Sequence, residues 1–393
     1  MTFSEMGRSI SLINKLPLQV VVFFLAAAAF STVYITQPVL PILSEEFGAD
    51  PALVSLTVSA VVLGIALSIL PIGILADRLP VHRILMIGGI AVASCSLVAA
   101  STNSLWTLIA VRFVQGLFIP TLTTCLAAYL ARSLPAERLS VVMGSYVSAT
   151  VAGGLGGRLL GGWLHPPAHW RYAFVTAAVL VLIATFIAVL RLREPAPAAH
   201  HSSGAIGLWS MVKRPDLLRL FTVAFASFFV FSSVFNFLPF YLAAPPLSVP
   251  VQWITTLYLS YVLGILVGPI AGRISNHWGS GVAMAAGTLL LAAGLLLSLA
   301  PSMWAKGCAL AAICTGYFSV HASAVGAVNQ SLVTGRGRAN ALYVLFYYVG
   351  GWMGITSSGI AYSKAGWMGV VTLCLIMLVI PLACGVAHQR KLR

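Results

Sequence analysis

Three side chains that can hold a charge stand far inside apolar stretches of this 393-residue sequence: Arg112, Arg158 and His321. The acids do not join them. Glu5, Glu45, Glu46, Asp50, Asp77, Glu137, Glu194 and Asp216 all fall between apolar stretches or at their ends. An arginine at the centre of a bilayer costs roughly 3 kcal/mol or more unless it reaches water or a partner, so each of the two needs a reason. Arg158 stands nearer one end of its stretch, where its stem can carry the guanidinium to the headgroups. Arg112 is deeper and needs water or a partner all the more. His321, in YFSVHASAVG, has an ordinary pKa of about 6.5. It is either a neutral group bonded to a neighbouring helix or a group that meets a solute or a proton. Cations and an imidazole without a buried carboxylate suit neutral or anionic small molecules better than hydrophobic cations. Tyr34, Gln37, Asn236, Tyr343 and Tyr347 are candidates to line a solute cavity with hydrogen-bonding groups. Tyr343, Phe346 and Tyr347 share one helix face, and ordinary packing is the competing reading for them.

Other chemistry is missing. His165 and His169 are four apart, but Pro166 and Pro167 break the helix that would pair them on a metal. His200 and His201 are adjacent in a polar stretch and make no site. No HExxH, Walker A, GxSxG or CxxC pattern occurs. We therefore expect no enzyme, no metal and no cofactor, and any active transport must be secondary. Six cysteines, all within apolar stretches, read as small packing residues.

The elements that must position these groups are membrane helices. The chain is 60% hydrophobic and 8% charged, with a mean hydropathy of +0.98, where a soluble domain carries about 25% charged residues. Twelve apolar runs of spanning length centre near residues 30, 63, 92, 118, 151, 181, 230, 263, 290, 318, 349 and 376. They are continuously apolar, which excludes the alternation of a β-barrel strand. The first run is too long for a cleavable signal. The net charge of +14 does not mark a nucleic-acid binder. If the first helix starts in the cytoplasm, nearly all the Lys and Arg residues fall on that side, with Arg171, Lys306 and Lys364 outside. That asymmetry is the positive-inside rule; it puts both termini in the cytoplasm and gives the anionic lipid bilayer a basic face.

The stretch from Gly144 to Gly162 holds glycines at 144, 153, 154, 156, 157, 161 and 162. Gly153, Gly157 and Gly161 form a smooth stripe on one helix face, which lets another backbone approach. A shift of 197 residues carries Gly153, Gly154, Gly157 and Gly162 onto Gly350, Gly351, Gly354 and Gly359, and Trp170 onto Trp367. Between the repeats, residues 192–215 are polar and contain prolines. The expected organisation is a bundle over 1–191, a cytoplasmic linker over 192–215 and a second bundle over 216–393, with a solute site near the midplane between repeats.

Three motifs carry a family resemblance. The loop after the second run reads GILADR, with Gly73, Leu75, Ala76, Asp77 and Arg78, then Pro80, Val81, His82 and Arg83. The fourth run holds Arg112, Gln115 and Gly116. The fifth matches G-x8-G-x3-G-P-x2-G-G at Gly144, Gly153, Gly157, Gly161 and Gly162, with Arg158 at the proline position. The sequence resembles the major facilitator superfamily, in particular its bacterial twelve-helix drug and metabolite exporters, over essentially the whole chain. The resemblance implies an all-α fold of two six-helix bundles, monomeric in the bacterial inner membrane. It would export a small-molecule substrate by alternating access, with the proton as coupling ion. Helices 1, 4, 7 and 10 would line the cavity and helices 5 and 11 would pass motion between the halves. Gly73, Asp77, Arg78 and Arg83, the Arg112 triplet and the fifth-helix residues would serve as gate and coupling elements. Asp77 is either a solvated loop charge or a partner of a neighbouring helix end. Import, uniport and ligand sensing without transport are the alternatives.

Overall fold

The computed structural model describes residues 16–76, 78–165, 168–192, 207–332 and 334–392. Asp77, most of the linker and the first fifteen residues lie outside them. The described residues form helices, and these resolve into twelve spans. The first is broken: a helix over Leu18–Ser31, a 3-10 turn over Gln37–Val39 and a helix over Leu40–Phe47. Pro38 and Pro41 account for the break, since each lacks an amide donor and crowds the carbonyl four residues back. Gly48, at φ +57°, closes the last helix in the left-handed region.

Spans two to seven follow as Pro51–Ala76, Val81–Ser101, Leu105–Ser133, Ala136–Trp163, Arg171–Arg191 and Pro215–Ala243. The eighth runs from Val251 to Trp278 with a 3-10 turn over Tyr258–Tyr261. Gly279, at φ +96°, makes the one-residue turn into the ninth, Ser280–Leu297. The tenth is Met303–Gln330. The segment Arg336–Leu392 is two helices, parted where Ala365 and Gly366 leave helical geometry. The seventh span is buried over most of its length, whereas the others turn about half their surface outward. That outer surface is apolar, with Ile87, Phe186, Leu266 and Ile376 exposed on it, as lipid requires.

By their internal contacts the residues fall into two compact units, Met1–Thr36 with Leu67–His201, and Gln37–Ala66 with Ser202–Arg393. In the first unit the first span packs on the fifth, and the third on the fourth and sixth. In the second unit the seventh packs on the eleventh, and the ninth on the tenth and twelfth. Gly88 and Gly89 of the third span seat Thr121 and Thr185 of its neighbours. Gly287 and Gly316 do the same between the ninth and tenth.

Lys306, one of the three cations expected outside, lies in the first turns of the tenth span and is 1% exposed. Its ammonium donates to the Tyr241 hydroxyl at 2.8 Å and to the carbonyls of Ala300 at 2.8 Å and Ser298 at 3.4 Å. It thereby caps the carboxyl end of the ninth span, where a cation is favoured. The Tyr241 ring beneath it stacks on Trp367, whose indole donates to the Ser298 hydroxyl. Arg171 repeats the device in the first unit. It lies over Trp170 and donates to the Thr102 carbonyl and the Asn103 amide oxygen, just past the third span.

Candidate functional site

The break in the first span leaves carbonyls without helical donors, which is costly where no water reaches. Arg112 supplies the donors. Its guanidinium bonds the carbonyls of Thr32 at 2.6 Å and Val33 at 2.5 Å and the side-chain oxygen of Gln115, one turn on. The Gln115 amide donates in turn to the Ser96 hydroxyl at 2.7 Å and the Val92 carbonyl at 3.2 Å. Arg112 and Gln115 are both fully buried, and Gly116 beside them is buried too. The pair therefore ties the fourth span to the broken first span and to the third. A planar guanidinium suits two adjacent carbonyls; a lysine would not reach both.

The fifth span seats its stripe on the same broken helix. A Cβ at Gly153, Gly157 or Gly161 would overlap the carbonyl groups of Ala27, Ser31 and Ile35 respectively. Matching steps of four on both helices mean that they run parallel in contact. Gly162, at the C-terminal end of the fifth span, is buried, while Gly144, nearer its N-terminal end, is exposed and has nothing within 4 Å of a built Cβ. Arg158 does not reach for the headgroups. It is 3% exposed, donates to the Gly154 carbonyl at 2.7 Å and lies over the Tyr34 ring at 4.1 Å. Tyr34 sits in the broken stretch of the first span, so stem and charge fold back onto the helix that the glycines contact. Cation–ring attraction is worth about 2 kcal/mol in a desolvated site.

The second unit repeats this seam. Cβ atoms at Gly350 and Gly354 would overlap the carbonyl groups of Phe225 and Phe229 on the seventh span. The repeat in the sequence is thus a repeat of helix contacts.

Six rings from three helices meet in the second unit. Phe231 stacks on Tyr317 at 3.8 Å between centroids and Phe228 on Tyr347 at 3.6 Å. The Tyr317 hydroxyl donates to the Tyr347 oxygen at 3.0 Å, and the Tyr343 hydroxyl is 3.0 Å from Nδ1 of His321. Tyr317, Phe228, Phe231 and Tyr343 are buried, while His321 and Tyr347 are half-buried and form the reachable edge. Of the expected cavity residues, the structure brings His321, Tyr343 and Tyr347 together. Asn236 is elsewhere: it is fully buried and donates to the Ser55 hydroxyl at 2.8 Å. Gln37 is buried in the 3-10 turn.

In the loop after the second span, Asp77 lies outside the described residues. Gly73 has only the Thr124 methyl near a built Cβ, and Arg78 and Arg83 are exposed. Arg132 donates to the Ala76 carbonyl at 2.8 Å and caps the end of the second span. Tyr317, Ser96 and Ser55 were also missed. A helical face count would have joined Tyr317 to His321, four residues on; nothing in the sequence signals Ser55.

A family model described as the Major Facilitator Superfamily matches residues 22–279, which include the first-span break, the Arg112 pair and the glycine stripe. The chain belongs to the major facilitator superfamily. It is 27% identical over 373 residues to the MFS-type transporter YybF of Bacillus subtilis, covering 92% of this chain and 91% of that one. It is 26% identical over 378 residues to the inner membrane transport protein YnfM of Escherichia coli, covering 94% and 90%. Its fold is similar to that of a bacterial homologue of the human lysosomal transporter Spinster, crystallised inward-facing and occupied. The TM-score there is 0.78, with 16% identity over 95% of this chain and 96% of that one. The protein is thus a multi-pass membrane transporter of the major facilitator superfamily, a family of carriers and not of enzymes.

Proposed function

We propose that this facilitator exports a small neutral or anionic organic solute from the bacterial cytoplasm, in exchange for protons, by alternating access. The observation that carries the export reading is the fifth span's glycine stripe, seated step by step on the first-span carbonyls at the positions of the exporter motif. Contacts this close leave no room for side chains, so the first and fifth spans stay sealed against each other while the half that holds them both moves. The repeats over 1–191 and 216–393 are the moving halves, joined by 192–215, with both termini in the cytoplasm of a monomer in the inner membrane.

The half-buried edge of His321 and Tyr347 is the proposed place where solute and proton meet. His321 is the one titratable group of that cluster whose ordinary pKa lies near physiological pH. With Nδ1 held by Tyr343, Nε2 can take a proton or accept a hydrogen bond from a solute donor but not both, so a solute that donates there competes with the proton. That exclusion is the coupling an antiporter needs. Acids in the described spans stand only in end turns, at Glu45, Glu46, Glu137 and Asp216, which supports a neutral or anionic solute. The test is counterflow in proteoliposomes with an imposed pH gradient. Labelled solute should accumulate against its gradient when the trans side is acid. Solute movement that ignores the gradient would replace this reading with a uniporter.

A further inference from the structure

Asn236 was read as a cavity residue, but the structure gives it a different place. Residues 37–66, the outer end of the first span and most of the second, belong to the same compact unit as the seventh and eleventh spans. Ala52 abuts Gly359 and Val62 abuts Gly351, so the second span lies along the eleventh. Into this seam the seventh span sends Asn236, fully buried, whose amide nitrogen donates to Ser55. Its other end has no partner: Oδ1 is buried and unbonded among the described residues. Exchanging oxygen and nitrogen in the amide moves the defect to the nitrogen without removing it, because Ser55 satisfies one end only. The hydroxyls of Ser59 and Ser358, on the second and eleventh spans, are also buried and unbonded.

A buried polar group left half-satisfied disfavours the state that buries it, and water would satisfy it as soon as the helices part. We propose that Asn236 is a positioning residue that holds this outer seam closed only weakly. Its one bond to Ser55 latches the seam, and its orphaned end biases the seam toward opening. The proposal rests on the alternating-access reading above, in which residues 37–66 part from the seventh and eleventh spans to release solute outside.

The two partners predict effects of opposite sign. Asn236→Leu, of nearly the same size, removes the orphan and should hold the seam shut. Ser55→Ala leaves both ends of the amide unsatisfied and should loosen it. The experiment places Val62→Cys, at a fully buried position facing Gly351, in each variant. Intact cells are treated with a membrane-impermeant maleimide, and labelling of the peptide spanning position 62 is timed by mass spectrometry. Asn236→Leu should slow labelling about tenfold and Ser55→Ala should speed it about tenfold. In the Asn236→Leu background, Ser55→Ala should change nothing, a non-additivity that general loosening of packing would not produce. Labelling that proceeds in the parent at a rate neither substitution changes, or that both shift in the same direction, overturns the assignment of Asn236 and leaves alternating access standing. A parent that never labels from outside, with or without a pH gradient, overturns both.

Discussion

Arg112 shows how one side chain stands in for backbone. Its bonds replace the helical donors that the break in the first span withholds from the Thr32 and Val33 carbonyls. Arg112→Leu would leave those carbonyls and the Gln115 oxygen buried without donors, at a cost of about 3–5 kcal/mol. The expected outcome is a clear loss of melting temperature in detergent, and Arg112→Lys should restore only part of it. His321 sits at the other extreme, on a reachable edge with one bond that matters. His321→Gln should leave solute counterflow in place while uphill transport no longer responds to a pH gradient. In the parent, lowering the pH on the outer side should raise export, because protonation there displaces solute from the ring. Flux in proteoliposomes at matched and unmatched pH reads the difference directly.

Among the elements, the glycine stripes make the sharpest claim. Gly157→Val would drive two methyl groups into the Ser31 carbonyl, and Gly354→Val would do the same at Phe229. Each should abolish transport or folded yield, as read by size-exclusion of the solubilised protein and by counterflow. Gly144→Ala belongs to the same helix and the same motif, yet nothing lies within 4 Å of the added carbon. It should leave transport unchanged and stabilise the fifth span by up to about 1 kcal/mol. Arg158→Pro restores the motif but removes the bond to Gly154 and the cation over Tyr34. Because proline also crowds that same Gly154 carbonyl, a bend in the fifth span is expected near it. Thermal stability in detergent should fall.

At the scale of the whole molecule, the basic connections predict which side of the membrane each turn faces. The turn before the tenth span should face outward and the turn before the eleventh inward. Ser302→Cys should then react with an impermeant maleimide in intact cells, and Gly337→Cys only after permeabilisation. The reverse pattern would invert the export reading. Lys306 does not disturb this topology, because its charge ends on carbonyls inside the protein and contributes nothing to the loop balance. The two cation-and-tryptophan caps, Arg171 with Trp170 and Lys306 with Trp367, stand near equivalent ends of the third and ninth spans. They carry the internal repeat from sequence into the molecule.

The sequence by itself determined the twelve spans and the glycine register, and in Pro38 and Pro41 it held a break in the first span that went unread. Each of these depends on residues close together in the chain. Apolar length decides a span, Pro38 and Pro41 decide a break, and glycines four apart make a stripe on any helix. Only the tertiary structure decided what the polar side chains hold. Arg112 bonds carbonyls about eighty residues away, and Asn236 bonds a serine 181 positions away. Arg158 turned inward because a tyrosine ring lay closer than the headgroups, and Lys306 was buried because a neighbouring helix ended beside it. Such partners are chosen by which helix faces meet, and the helical period of one span carries no record of the face it will find.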